Sequence, residues 1–280
     1  MTRRSPGGKF SFEFFPPKTP EGAAKLQATV KQLGQLNPDF FSVTFGAGGS
    51  TREGTLATAL GIREAGYAAA PHLSCVASTR ESVAAVIRDY KEKGIRHIVA
   101  LRGDLPSGLA AAGEFRYASE LVRFIREQTG DWFHVEVACY PEYHPQARKA
   151  QQDLQAFKAK VEAGANGAIT QYFYNPDAYF HFVEQAEALG IHVPIVPGIM
   201  PINNFAQLAR FSDACGAEIP RWMRLKLEGY GDDTASIKAF GMDIVTQLCD
   251  RLLDGGAPGL HIYTMNLAGP TSTLWQRLGL

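Results

Sequence analysis

The chain has 280 residues, 45% hydrophobic and 20% charged, with 28 basic and 28 acidic side chains and a formal net charge of zero. That size buries a substantial core in one large α/β domain or two small ones, and the balanced charge argues against a nucleic-acid or membrane surface, which needs an excess of basic charge on one face. No apolar run is long enough to span a bilayer, and no apolar stretch follows the basic N-terminus as a secretory signal requires. The four cysteines, Cys75, Cys139, Cys215 and Cys249, form no Cys-x-x-Cys pair. Neither a disulfide framework nor a metal site is therefore expected, and a reducing, cytoplasmic compartment fits.

The first element is a strand over 9–15 containing Phe10-Ser-Phe-Glu-Phe-Phe15. Side chains alternate along a strand, so Phe10, Phe12 and Phe14 share one face and Ser11, Glu13 and Phe15 the other. A lone carboxyl among aromatics loses hydration, which raises its pKa and suits it to general-acid work. The plainer reading pairs Glu13 with a cation across the sheet or leaves it facing solvent.

An amphipathic helix over 21–36 leads to a strand over 39–45. That strand ends at Thr44 and runs into the Gly-rich turn Gly46–Thr51, which is either a phosphate cradle or simply a tight turn. A strand over 69–75 carries His72 after Pro71, where a satisfied core histidine is the plainer reading. A helix over 80–93 precedes a strand over 97–101 and the sequence Arg102-Gly103-Asp104, whose charges can pair with each other. The strand over 133–140 contains Glu136, an interior charge with no evident partner, and leads to Tyr140, Glu142 and His144, which lack metal-ligand spacing. On the helix over 146–163, Asp153 and Lys160 share a face, and a solvated ion pair accounts for them equally well.

A strand over 168–173 carries Gln171, a helix spans 177–189, and a strand spans 193–199. The long interval to the last strand, 259–264 with Tyr263, holds an extra helix near 203–212 and another over 232–253. Gly94, Gly130, Gly164 and Gly190 mark helix ends. Eight strands alternating with helices predict a (β/α)8 barrel forming a single domain over 1–280. The alternative, a doubly wound sheet, lacks its Gly-x-Gly-x-x-Gly after the first strand. In a barrel the active site lies at the C-terminal strand ends, where Glu13, Thr44, Arg102, Tyr140, Gln171 and Tyr263 recur.

These segments together resemble methylenetetrahydrofolate reductase of the bacterial type. The resemblance rests on FSFEFFPPKTPEG (10–22), FFSVTFGAGGSTR (40–52), APHLSC (70–75), GIRHIVALRGDLP (94–106), ACYPEYHPQA (138–147), GANGAITQYFYN (164–175), VPGIMPINNF (196–205) and HIYTMN (261–266), which cover nearly the whole chain in order. It implies a (β/α)8 flavoprotein. In that family a nicotinamide, NADH or NADPH, reduces bound FAD, and the flavin reduces 5,10-methylenetetrahydrofolate to 5-methyltetrahydrofolate in one-carbon metabolism and methionine supply.

By the same resemblance Glu13 is the general acid that opens the imidazolidine ring, and Asp104 is an acidic residue beside flavin and pterin. Gln171, Phe205 and Tyr263 join them in binding substrate. FAD maps onto Thr44, His72, Arg102, Gly103, Asp104, Tyr117, Ala118, Tyr140, His144, Asp153 and Lys160, with Lys160 meeting the pyrophosphate and Asp153 a ribose hydroxyl. A homo-oligomer without nucleic-acid or membrane partners is implied, and no regulatory domain after the barrel is expected. Relatives carry Asn and Arg where this chain has Ala156 and Ala159, with Gln155 and Lys158 nearby to compensate. Leu267 stands where an Arg partner for the folate tail is expected. Two competing readings remain: a barrel lyase or aldolase using Glu13 and Asp104 without a redox cofactor, and a barrel that has lost chemistry.

Overall fold

The structure is a computed structural model that describes residues 8–45, 52–103 and 113–280. Its strands are β1 (Lys9–Phe14), β2 (Phe40–Val43), β3 (Ala69–Ser74), β4 (His97–Leu101), β5 (His134–Cys139), β6 (Gly167–Thr170), β7 (Ile195–Val196), β8 (Gly198–Ile199) and β9 (Gly259–Tyr263). The helices are α1 (Pro20–Gly34), α2 (Arg52–Glu64), α3 (Arg80–Glu92), α4 (Ala118–Thr129), α5 (Ala150–Glu162), α6 (Pro176–Ala188), α7 (Phe205–Cys215), α8 (Arg221–Gly229), α9 (Thr234–Asp254) and α10 (Ala268–Leu278).

Every strand pairing is parallel, in the order β7-β6-β5-β4-β3-β2-β1-β9-β8. The short strands β7 and β8 are two halves of one segment interrupted at Pro197. Proline has no N–H to give a ladder, and the halves turn to different neighbours: β7 to β6, β8 to β9. The sheet therefore closes on itself as the expected (β/α)8 barrel, with the eighth position shared by this broken strand.

Closure between β1 and β9 depends on one glycine. A Cβ on Gly259 would lie 1.8 Å from the carbonyl oxygen of Lys9, so no larger residue lets the two strands meet. The main core lies between barrel and helices. Phe12, Phe41, Leu33 and Leu274 are fully buried there, and the rings of Phe10 and Phe12 sit 4.9 and 5.7 Å from that of Trp275 on α10. A small second cluster of Phe40, Ala70, Val99 and Ile169 fills the barrel interior. Alternation is thus as expected along β1, with Phe10, Phe12 and Phe14 directed to the helices and Ser11 and Glu13 inward.

Helix starts follow ordinary capping chemistry. The Thr19 hydroxyl accepts from Gly22 N at 3.1 Å ahead of Pro20, and Asn204 accepts from Gln207 N at 2.8 Å. The glycines expected to end helices do so in the left-handed region, with φ of 71° at Gly94, 55° at Gly130, 111° at Gly164 and 78° at Gly190. Three expectations need correction. The fifth helix starts at Ala150 rather than 146, because His144–Ala147 form a turn closed by Ala147 N donating to His144 O. The extra helix runs over 205–215. The interval before α9 also holds α8, of whose four apolar side chains Met223 and Leu227 alone are buried.

Candidate active site

The C-terminal end of β1 carries Glu13 into the barrel interior. Its Oε2 lies 3.2 Å from His72 Nε2 on β3 and 3.4 Å from His261 Nε2 on β9, and Ser42 Oγ on β2 donates to it at 3.3 Å. The His72 contact is a close approach off the line of a hydrogen bond. His261 is held by Ser11 Oγ, 2.7 Å from its Nδ1. The strand carbonyl of Glu13 accepts from Thr264 Oγ1 at 2.6 Å. Four neighbouring strands therefore fix one carboxylate.

This environment reverses the expected titration of Glu13. Burial alone drives the carboxyl pKa up, but His72 and His261 outweigh it and bring the value down to about 2. The aromatic neighbours in sequence point to the opposite face, so they do not surround the carboxyl. Its partners across the sheet are imidazoles on β3 and β9. Next to it, Tyr263 donates to Thr170 O at 2.7 Å, and burial followed by the charge of Glu13 pushes its hydroxyl well above the ordinary range.

Most of the other expected site residues gather at the same end. Thr44 follows β2, and its Oγ1 is buried without a hydrogen-bond partner among the described residues. Arg102 follows β4, donates to Gln146 Oε1 at 2.7 Å, and so ties the loop after β4 to the loop after β5. Gly103 adopts φ 86°, and a Cβ there would fall 2.0 Å from Ser74 Oγ, so the backbone passes where only glycine fits. Tyr140 packs its ring 4.7 Å from that of His144, and Gln171 N donates to Cys139 O at 2.8 Å.

The face of α5 is not a solvated ion pair. Asp153 Oδ2 accepts from His144 N at 2.9 Å, while Lys160 Nζ donates to Ala138 O at 2.6 Å. Both side chains turn toward β5 instead of toward each other. Burial pushes the Lys160 ammonium pKa down, and among the described residues its one hydrogen-bond acceptor is that neutral carbonyl. Tyr117 caps α4 with an exposed ring, and Ala118 opens the helix. Phe205, at the first position of α7, packs on the main core and joins none of these contacts among the described residues. Asp104 and the Gly46–Thr51 turn lie outside the described residues.

His261 and Ser42 were not singled out from the sequence. The signal was present: strand alternation puts His261 on the face of Tyr263 and Ser42 on the face of Thr44. Glu136, unassigned from the sequence, finds His134 Nε2 at 3.0 Å and His97 Nε2 at 3.8 Å. Burial raises its pKa, but the two imidazoles dominate and lower it to about 2.

A closed parallel barrel whose C-terminal mouth gathers a fixed carboxylate, two imidazoles, a buried hydroxyl and a half-buried ammonium defines a barrel of the enzymatic class. The family model of methylenetetrahydrofolate reductase matches residues 4–279. The 5,10-methylenetetrahydrofolate reductases of Salmonella typhimurium and Escherichia coli are each 42% identical, covering 96% of this chain and 90% of theirs. Methylenetetrahydrofolate reductase (NADH) 1 of Arabidopsis thaliana is 37% identical over 97% of this chain but 48% of its own length. Among solved structures, an uncharacterized protein from Clostridium thermocellum that binds two copies of 5-methyl-5,6,7,8-tetrahydrofolic acid superposes with a TM-score of 0.72 at 16% identity, covering 98% of this chain and 94% of that one. That likeness concerns the fold. The chain belongs to the methylenetetrahydrofolate reductase family, whose reaction is the reduction of methylenetetrahydrofolate.

Proposed function

We propose that the protein reduces 5,10-methylenetetrahydrofolate to 5-methyltetrahydrofolate at the C-terminal mouth, with NADH or NADPH as donor and FAD as the resident cofactor, by a ping-pong sequence. The observation that carries this reading is the Glu13–His72–His261–Ser42 cluster in a chain 42% identical to curated reductases. Methionine supply, a cytoplasmic location and a homo-oligomeric state follow from the same family reading.

The residues at the mouth fit a dinucleotide flavin. Thr44 Oγ1 is buried and unpartnered among the described residues, and Lys160 presents a half-buried ammonium satisfied by one neutral oxygen. In this reading Thr44, His72, Arg102, Gly103, Asp104, Tyr117, Ala118, Tyr140, His144, Asp153 and Lys160 hold FAD. Lys160 meets the pyrophosphate and Asp153 a ribose hydroxyl. When bound, FAD supplies hydride transfer between nicotinamide and folate.

Glu13 handles the proton. In the free protein it is ionised. Folate entering the mouth removes the remaining water. Lost hydration disfavours the carboxylate, so Glu13 takes up a proton from solvent as folate binds and passes it to the departing ring nitrogen. The resulting iminium accepts hydride. Gln171 offers an amide to a pterin edge, Tyr263 lines the same mouth, Phe205 supplies an aromatic face, and Asp104 places negative charge beside the cation.

An anaerobic two-step assay tests the reading. The FAD-loaded protein is expected to bleach on addition of NADH or NADPH and to regain its colour on addition of methylenetetrahydrofolate. A protein that cannot be loaded with FAD would instead favour the lyase reading. Lys160→Ala is expected to raise the FAD dissociation constant about tenfold or more, the scale of one charge-assisted hydrogen bond, measured by fluorescence titration. An unchanged constant would remove Lys160 from the flavin site.

A further inference from the structure

The opposite end of the barrel holds a second cluster that the reductase reaction does not use. His97 is the first residue of β4 and His134 the first of β5, directly paired across the two strands, and Glu136 lies two residues beyond His134 on the same inward face. One ligand atom from each, two imidazole nitrogens and a carboxylate oxygen, lie within 4.8 Å of one another. They open into a cavity of about 240 Å³ at the N-terminal strand ends, away from the mouth that carries Glu13.

Two features are left unexplained by hydrogen bonding alone. Among the described residues His97 Nε2 and Glu136 Oε2 are buried without a hydrogen-bond partner, although the Glu136 side chain is only 6% exposed. Unpartnered buried polar atoms are costly, and a carboxylate more so than most. The neighbouring strand also makes room for this carboxylate: a Cβ at Gly167 on β6 would lie 2.4 Å from Glu136 Oε2. A bound cation satisfies the carboxylate and both nitrogens at once.

We propose that His97, His134 and Glu136 form a binding site for one divalent transition-metal ion of the zinc class at the N-terminal mouth of the barrel. Two neutral imidazoles and a carboxylate are ligands that zinc accepts, with the fourth position left to water. The cavity supplies both the route of entry and space for that water. The ligand atoms are 3.0 and 3.8 Å apart in the two His–Glu contacts, so small side-chain rotations bring them onto a common ion. Located on paired strand starts, the ion ties β4 to β5 and acts on the stability of the barrel, separately from folate chemistry.

The FAD-loaded protein, treated with chelator and dialysed, is titrated with zinc chloride by calorimetry, and melting is followed with and without zinc. The expected result is one ion per chain and a higher melting temperature with zinc. His134→Ala, at a side chain 41% exposed and so tolerant of truncation, is expected to weaken zinc binding at least tenfold and abolish the melting shift. Glu136→Gln is expected to do the same. His192→Ala, on the outer surface, is expected to bind as the unaltered protein does. Absence of a one-to-one binding event, or equal affinity in the His134→Ala protein, overturns the proposal.

Discussion

Glu13→Gln is expected to lower the rate of folate reduction about 10²–10⁴-fold, the range that a positioned acid contributes, while leaving FAD binding and flavin reduction by the nicotinamide within about twofold. The two half-reactions separate these effects: bleaching by NADH or NADPH reports the first, and recovery of colour on adding methylenetetrahydrofolate the second. Glutamine keeps the size of the side chain and its acceptor oxygen for Ser42, so the variant loses the titratable carboxyl without opening a cavity. It also loses the charge that faces His72 and His261 at 3.2 and 3.4 Å. The pH profile of the second half-reaction is therefore expected to change in shape as well as height. Unimpaired flavin reoxidation by the folate in this variant would remove Glu13 from proton transfer.

Phe12→Ala is expected to destabilise the fold by about 3–5 kcal/mol, the cost of truncating a fully buried aromatic. Phe12 is completely buried, with ring centroids 5.9 Å from Phe41 and 5.7 Å from Trp275, so it joins β1 to β2 and to α10. Backbone strands cannot close on the vacancy without breaking the ladders of β1 with β2 and β9. A fall in the urea midpoint with unchanged m would report this as lost stability. A change under about 1 kcal/mol would show that the helix layer repacks freely. Because Phe12 precedes Glu13, the variant also tests whether a loosened β1 relaxes the carboxylate: a parallel loss of folate reduction at a temperature where the variant is folded is the expected companion effect.

The barrel was legible in the sequence because its signal is local and repeated. Each strand run is short, β-rich and bounded by turn residues, and each helix end carries its glycine, as Gly94, Gly130, Gly164 and Gly190 do. Helix α8, RWMRLKLEG, is only nine residues long and buries just Met223 and Leu227, one turn apart, too short a repeat to stand out as a helical period. The site residues Glu13, Thr44, Tyr140, Gln171 and Tyr263 were found by a single rule, polar side chains late in barrel strands. His261 sits in the middle of β9, outside that rule.

The sequence by itself determined which face of each strand is apolar, where the helices stop and that Glu13 points away from the phenylalanines flanking it, because alternation and capping depend on neighbours in the chain. The tertiary structure alone decided what Glu13 faces. His72 and His261 lie 59 and 248 positions away along the chain; His72 reaches it through the pairing of β1, β2 and β3, and His261 through the pairing of β1 with β9. The pairing of β4 with β5 likewise brings His97 to Glu136, whose other neighbour His134 is only two residues away on its own strand. Charges titrate according to what surrounds them in space, and that surrounding is set by long-range strand pairing, which no local pattern encodes.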